Sequence, residues 1–374
     1  MTINDISKTQ CYGCMACKNI CPKKCIENKR DENGFWYPYI IEEECVDCGL
    51  CYRTCPLNHK EEIAVQKVYA VKANEDIRKE SASGGMFTIL SDYVLEQNGV
   101  IFGAAFDEEW NLKHIKAVNQ KERDRCRGSK YLQSNLGDTY KEIICALKEG
   151  KKVLFTGTPC QVAGVKSVIK HEDLILVDII CHGVASPKVF EGFVKYIEKT
   201  LGNKIKKISF RDKEYGWSNQ LWSVEDDKGN KYKEAELKRY KRVYYEHLAH
   251  RESCFNCQYA SLERSGDITM GDYWGVNDSI PEFNDEKGIS LVWANTKKGQ
   301  EILDSVLKQE QVIERNIQDC LQPQLQEPVK YNKNRERFLK LYHKKGFKKS
   351  TDIVFEYTIL KKVKNKMKNM LLKN

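Results

Sequence analysis

The sequence predicts a small α+β module followed by an α/β domain built on a mixed sheet. Three observations carry that expectation. The first 60 residues hold two cysteine quartets of identical internal spacing. Residues 151 to about 200 alternate short apolar runs with turns and helical patterns, the signature of a parallel βαβ arrangement. Apolar runs beside polar hairpin turns, at 107–112 and 227–230, add antiparallel strands to it.

The first quartet is Cys11, Cys14, Cys17 and Cys21, with Pro22 behind it; the second is Cys45, Cys48, Cys51 and Cys55, with Pro56 behind it. Each reads C-x-x-C-x-x-C-x-x-x-C-P, the bacterial ferredoxin run that holds 4Fe–4S clusters. Soft thiolates suit iron–sulfur centres, and the two-residue gaps let one tight loop aim three of them at three corners of a cube. The fourth cysteine ligates the other cluster. Cys11, Cys14, Cys17 and Cys55 are therefore expected on one cluster, and Cys45, Cys48, Cys51 and Cys21 on the other. Zinc quartets pair two CxxC units and need no third cysteine at the next i+3 position. Disulfides need an oxidising compartment. A ferredoxin-like module of residues 1–60 lacks a large apolar core, so the metal is expected to supply most of its folding free energy. Lys60-Glu61-Glu62 reads as the linker, and the repeat of about 34 residues from Cys11 to Cys45 as two copies about a pseudo-twofold axis.

The chain has 374 residues, 41% of them hydrophobic and 31% charged, which fits two or three soluble domains. No run approaches the roughly 18 apolar residues of a membrane span. The start, Met1-Thr2-Ile3-Asn4-Asp5, lacks the basic and apolar parts of a signal peptide. The sixteen cysteines thus read as metal chemistry in a reducing cytoplasm, and exposed clusters as life with little oxygen. The net charge of +9 is uneven: residues 329–374 hold fifteen Lys or Arg against three acids. The basic excess sits in one tail without a nucleic-acid motif, so no nucleic-acid partner is expected.

Taken in order, Val68-Tyr69-Ala70-Val71-Lys72-Ala73 reads as a strand. Ser81-Ala82-Ser83-Gly84-Gly85 then opens a helix over Met86–Leu95 that stops at Asn98-Gly99. Free N–H groups there make either an anion site or a plain N-cap. Val100–Phe106, a turn at 107–112 and His114–Val118 read as a hairpin, and 127–134 as a polar loop. Lys151–Thr156 is a buried-type strand, Gly157-Thr158-Pro159-Cys160-Gln161 its turn, and Val162–Lys170 a short helix. Leu174–Ile180 is a second buried strand, ending in Cys181-His182-Gly183, with a helix from Ser186-Pro187. Functional atoms are expected at the carboxyl ends of these strands. Ile205–Phe210 and Leu221–Val224 read as strands with Asp227-Lys228-Gly229-Asn230 as a hairpin turn, Ile289–Ala294 as a last strand, and Lys298–Leu307 as a helix.

Cys160, Cys181, Cys254 and Cys257 are scattered, each in a turn. Spacing alone leaves a third metal site open against a half zinc site at Cys254 and Cys257.

The segments SASGG (81–85), RGSKYLQS (127–134), TGTPCQ (156–161), CHG (181–183), CFNC (254–257) and GDITMGDYWG (266–275), in this order, resemble the coenzyme F420 hydrogenase/dehydrogenase beta-subunit family of iron–sulfur flavoproteins. The resemblance covers residues 68 to about 295. It implies FAD and a cluster beside it. By the resemblance, Ser81, Ser83, Gly84, Gly85 and Thr88 face the flavin phosphates. Ser129, Lys130, Tyr131 and Ser134 form a second flavin-facing segment, and Thr156, Gly157, Thr158 and Gln161 lie near the ring system. Cys160, Cys181, Cys254 and Cys257 become the ligands of a third 4Fe–4S cluster. Cys25, Cys126, Cys145 and Cys320 remain as small buried or inert thiols.

The expected function is that of an oxidoreductase relaying electrons between a ferredoxin-type carrier and FAD, with hydride transfer to or from an F420-like or other small acceptor. The rivals are a non-catalytic electron-transfer subunit of a larger hydrogenase or dehydrogenase, and a reductase in surface-polysaccharide synthesis. His182 is the best-placed proton donor, with hydrogen bonding to a cluster sulfur or the backbone as its alternative. Asp272 stands second, with a structural role in its Gly-rich turn as the alternative. The domain plan is 1–60 for the cluster module, 61–150 and 151–328 for the flavin-binding and third-cluster regions, and 329–374 for a basic tail. Ile353, Tyr357, Leu360, Val363, Met367 and Met370 recur at helical steps in that tail. Such a helix docks on an acidic membrane surface or partner, or packs on the core.

Overall fold

The computed structural model describes residues 1–59, 67–233 and 237–356. The linker at Lys60-Glu61-Glu62 and the tail helix from Tyr357 onward lie outside these residues. Among the described residues no helix is long and apolar enough to cross a membrane.

Residues 1–59 form the expected α+β module. Two short helices, Ala16–Ile20 and Leu50–Thr54, each follow a left-handed residue, Met15 (φ 63°) and Gly49 (φ 68°). That sharp reversal folds each CxxCxxC loop onto itself. Strands β1 (Ile26–Arg30) and β2 (Trp36–Ile40) pair antiparallel, with Ile26 opposite Ile40. The module's core is small: Ile3, Ile26 and Ile40 pack with Cys17, Cys25, Cys51 and Cys55.

The remaining strands are β3 (Val68–Lys72), β4 (Val100–Phe106), β5 (Leu112–Ala117), β6 (Val153–Gly157), β7 (Leu174–Ile179), β8 (Ile205–Asp212), β9 (Leu221–Asp226), β10 (Lys231–Lys233), β11 (Ile268–Asp272), β12 (Ser290–Ala294) and β13 (Gln311–Arg315). Eight of them form one mixed sheet in the order β13-β3-β12-β11-β7-β6-β4-β5. Its centre, β11, β7, β6 and β4, is parallel; β12, β3, β13 and β5 are added antiparallel. The central strands carry near-continuous apolar runs because helices cover both faces. Ile101, Leu154, Ile175 and Val177 face the helices Met86–Leu95 and Lys297–Val306. Their neighbours Phe102, Val153, Phe155 and Leu176 face Thr139–Lys148 and Pro159–Val168.

The division expected at residue 150 separates no cores, since this one sheet takes strands from both 61–150 and 151–328. A second, antiparallel sheet, β10-β9-β8, shares an aromatic core with the helices Pro187–Leu201, Lys238–Tyr245 and Arg335–Val354. The described part of the basic C-terminal segment is thus a helix packed on the core through Phe338, Leu339 and Phe347.

The strand ends are fixed by a buried ion pair. Asp178 on β7, fully buried, accepts hydrogen bonds from Arg264 Nη2 (2.7 Å), Gly266 N (2.8 Å), Thr269 Oγ1 (2.9 Å) and Ser265 N (3.0 Å). It ties the turn at 264–266 and the start of β11 to β7. Asp178→Ala strands the Arg264 guanidinium without a counter-charge, so a loss of about 3–5 kcal/mol is expected in denaturant unfolding of the domain.

Candidate functional site

The eight motif cysteines fall into two cavities in the module. Cys11, Cys14, Cys17 and Cys55 line one; Cys21, Cys45, Cys48 and Cys51 line the other. Each group takes its fourth member from the opposite quartet. Cys25, expected as an inert thiol, also lines the second cavity, its sulfur 3.4 Å from that of Cys21. Among the described residues no three His, Cys, Asp or Glu side chains close tightly enough to hold a single metal ion.

The scattered cysteines come together. Cys160 lies in the first turn of the helix Pro159–Val168, just after β6, and Cys181 just after β7. Cys254 and Cys257 lie in and just after the turn Glu252–Asn256. Burial and the neighbouring cysteines push the thiols of Cys160 and Cys254 up to about 12, and Cys181 well above its usual range. Such thiols hold their protons until a metal displaces them.

The module docks where this inner group sits. Cys14 packs on Gly164, on the same helix as Cys160: a Cβ at Gly164 would lie 2.7 Å from Cys14 Cβ and 2.9 Å from its sulfur. Tyr140 Oη donates to the carbonyl of Cys14 (2.8 Å). Tyr12 Oη accepts from Gln258 N (3.0 Å), beside Cys257, and its ring leans on Tyr259 at 5.4 Å.

On the other side of Cys160 lies a cavity of about 250 Å³ at the carboxyl ends of β6, β7 and β11. Of the predicted flavin residues, Ser81, Ser83, Gly85, Ser129, Lys130, Ser134, Thr156, Gly157, Thr158 and Gln161 line it, as does Asp272. It shares a wall, Ser81-Ala82 and Arg127–Lys130, with a cleft of about 900 Å³ lined by nine Lys or Arg side chains. At the mouth the helix Met86–Leu95 starts after Gly85, whose φ of 100° suits glycine, without a side-chain cap. The hydroxyls of Ser81 and Ser83 donate to the carbonyls of Ile77 and Ile289 (2.7 Å each). The loop's donors toward an anion are therefore backbone N–H groups.

Several predicted residues make contacts other than those expected. Gly84 is a packing residue: a Cβ there would fall on the backbone of Val71 and Ser290. Thr88 is buried behind the cavity and accepts from Arg127 Nε (3.1 Å). Tyr131 points into the aromatic core, stacked on Tyr244 at 4.5 Å. Lys130 Nζ donates to the carbonyls of Cys126 and Arg127 (2.8 Å each), holding its own loop; burial lowers its pKa to about 8. His182 does not line the cavity. Its ring meets Gln324 (2.6 Å) and His247 (3.3 Å), and burial beside His247 lowers its pKa to about 4. Asp272 does line it, ion-paired with Arg211 at 3.1 Å.

Two cavity residues escaped the sequence reading. Cys126, taken as inert, lies in its wall. His114 stacks on Phe155 at 5.1 Å, and burial lowers its pKa to about 4. Its Nε2 meets the Thr156 carbonyl (3.0 Å), which assigns the proton there and leaves Nδ1 to accept from Ser134 Oγ (3.2 Å). Ser134 Oγ in turn accepts from Gln161 Nε2 (2.9 Å), and Gln161 Oε1 accepts from Thr158 Oγ1 (3.0 Å). Thr158 Oγ1 lies 3.3 Å from Cys160 Sγ. A hydrogen-bonded chain thus runs from the cavity's histidine to the inner cysteines.

Residues 68–140 match the family model of the coenzyme F420 hydrogenase/dehydrogenase beta subunit, N-terminal part, and residues 150–319 match its C-terminal part. The chain belongs to this beta-subunit family. Residues 10–59 match a 4Fe–4S dicluster domain, so this family member carries a ferredoxin-type iron–sulfur module in front. An uncharacterised ferredoxin of Methanocaldococcus jannaschii is 34% identical over 74 residues, 20% of this chain and 91% of that one. The coenzyme F420-dependent sulfite reductase of the same organism is 30% identical over 167 residues, 42% of this chain. The chain spans only 25% of that enzyme's length. A chain of the F420-reducing [NiFe] hydrogenase complex of Methanosarcina barkeri is 21% identical, with a TM-score of 0.46 over 79% of this chain and 94% of that one.

With so small an apolar core, the module's folding is expected to depend on bound metal. Removing iron with a chelator is expected to open amide exchange across residues 1–59 while β4, β6 and β7 stay protected, as hydrogen–deuterium exchange would read.

Proposed function

We propose that this chain is an iron–sulfur flavoprotein oxidoreductase. In this reading it relays electrons between a ferredoxin-type carrier and FAD, and reduces or oxidises a small acceptor of F420-like or other chemistry. One observation carries it: Cys160 stands between Cys14 of the module, packed on Gly164 of the same helix, and Thr158 on the cavity wall. The inner cysteines thus join the module to the cavity. Iron–sulfur clusters supply one-electron chemistry and FAD two-electron chemistry when bound.

The chain's own residues divide the work. Cys11, Cys14, Cys17 and Cys55 would hold one 4Fe–4S cluster, Cys21, Cys45, Cys48 and Cys51 a second, and Cys160, Cys181, Cys254 and Cys257 a third. The cavity fits a flavin's mixed character: its wall is largely apolar at Met86, Phe87, Leu112, Ile179 and Met270, with polar groups at Thr158, Gln161 and Asp272. Free N–H groups after Gly85 would meet phosphate, and Arg127, at the shared wall, adds positive charge. His114, Ser134 and Gln161 fix donors and acceptors at the cavity, and His114 stays neutral at pH 7. Asp272, unlike His182, lines the cavity, and its ion pair with Arg211 sets a carboxylate beside the acceptor.

Cys160→Ala is expected to lower iron from about twelve atoms to about eight per chain. It should also abolish ferredoxin-linked flavin reduction while leaving the module's clusters visible by electron paramagnetic resonance. Full iron with full ferredoxin-linked turnover in that variant overturns the third cluster. A chain that reduces candidate acceptors only when joined to another subunit favours the electron-transfer-subunit alternative.

A further inference from the structure

Six arginines are buried among the described residues: Arg78, Arg123, Arg211, Arg251, Arg264 and Arg335. Five have a carboxylate partner: Asp285, Asp92, Asp272, Asp178 and Glu336 respectively. Arg251 is the most buried of the six, 1% exposed, and has none among the described residues. The adjacent carboxylate, Glu252, lies 3.7 Å from Arg335.

The guanidinium of Arg251 is held by neutral groups and aromatic faces. Nε donates to the Cys11 carbonyl (2.8 Å), Nη1 to Gln133 Oε1 (2.9 Å) and Nη2 to the Trp36 carbonyl (3.1 Å), and the group lies 4.0 Å from the Tyr37 ring centre. A desolvated cation costs several kcal/mol unless a negative charge lies close. With clusters bound, the anions beside it are the ligating thiolates. Nη2 is 3.9 Å from Cys11 Sγ, and the Arg251 carbonyl accepts from Cys254 N (3.0 Å). Arg251 therefore joins the Cys11 group to the inner group, and it does not line the cavity of Cys21, Cys45, Cys48 and Cys51.

We propose that Arg251 is the shared counter-cation of the two clusters on either side of the module–domain seam, holding both at higher potential than the outermost cluster. The proposal rests on the reading that both cysteine groups carry 4Fe–4S clusters. A cluster on four thiolates is anionic and gains one further negative charge with each electron. A fixed cation in a low-dielectric seam favours the reduced form, and it does so for whichever neighbour receives the electron. The Cys45-side cluster, whose neighbouring cations Lys23 and Arg53 are solvent-exposed, is the internal reference. In this arrangement electrons entering at the exposed end run downhill toward the seam.

The test is a dithionite titration of the full, iron-loaded chain, followed by electron paramagnetic resonance. Arg251→Gln removes the charge and Arg251→Lys keeps it. Gln133→Glu leaves the guanidinium in place and neutralises it from 2.9 Å away. In Arg251→Gln and Gln133→Glu, the reduced-to-oxidised ratio of both seam clusters at fixed potential should fall by about tenfold or more, with the outermost cluster unmoved. Arg251→Lys should stay close to the parent. Unmoved seam potentials, or three potentials that shift together, overturn the proposal. If Arg251→Gln does not retain iron, Gln133→Glu decides by the same readout. A parent chain with only the two module clusters defeats the functional reading instead; the Cys11-side shift against the outer cluster then still decides the role of Arg251.

Discussion

The packing of Cys14 on Gly164 sets the rest of this molecule in place. It presses a metal-dependent module of marginal core against the one helix whose first turn carries Cys160. A residue with any side chain at that point would hold the two bodies apart. The hydrogen bonds from Tyr140, Gln133 and Arg251 onto module carbonyls all depend on that approach. Close approach matters because electron transfer between centres weakens steeply with distance, whereas the chemistry at each centre belongs to the cofactor.

The mixed sheet supplies the other half of the geometry. Its parallel centre sends the carboxyl ends of β6, β7 and β11 to one edge, where the cavity forms. Asp178 holds that edge together by gathering Arg264, Ser265, Gly266 and Thr269 from a segment nearly ninety residues away. The Cys160 and Cys181 turns follow adjacent strands, so the inner cysteines and the cavity share a boundary. That boundary is bridged by Thr158, Gln161, Ser134 and His114.

What could be read from the chain was whatever repeats or has a period. The cysteine spacing placed the module's ligand groups, and the apolar runs located β3, β4, β6, β7 and β12 with their helices. The family motifs placed most of the cavity wall. Side-chain direction was not legible. Tyr131 and Ser129 lie in one motif, yet tertiary packing turns Tyr131 into the aromatic core. His182 adjoins a predicted ligand, but Gln324 and His247 turn its ring away. His114, Gln133 and Arg251 carry no local signal, since their partners lie between about 20 and 240 residues distant. β13 and β11 were missed because their short runs lack clear alternation.

The placement of β3 has a consequence for how the chain is made. This strand leads the domain, yet both of its neighbours, β12 and β13, come more than two hundred residues later. On a ribosome adding about 5–20 residues per second, it waits on the order of 10–40 s with both edges unpaired. Val68-Tyr69-Ala70-Val71 is apolar and β-prone, the kind of segment that captures stray strands. A nascent chain of this design calls for a holding chaperone until its last strand has emerged.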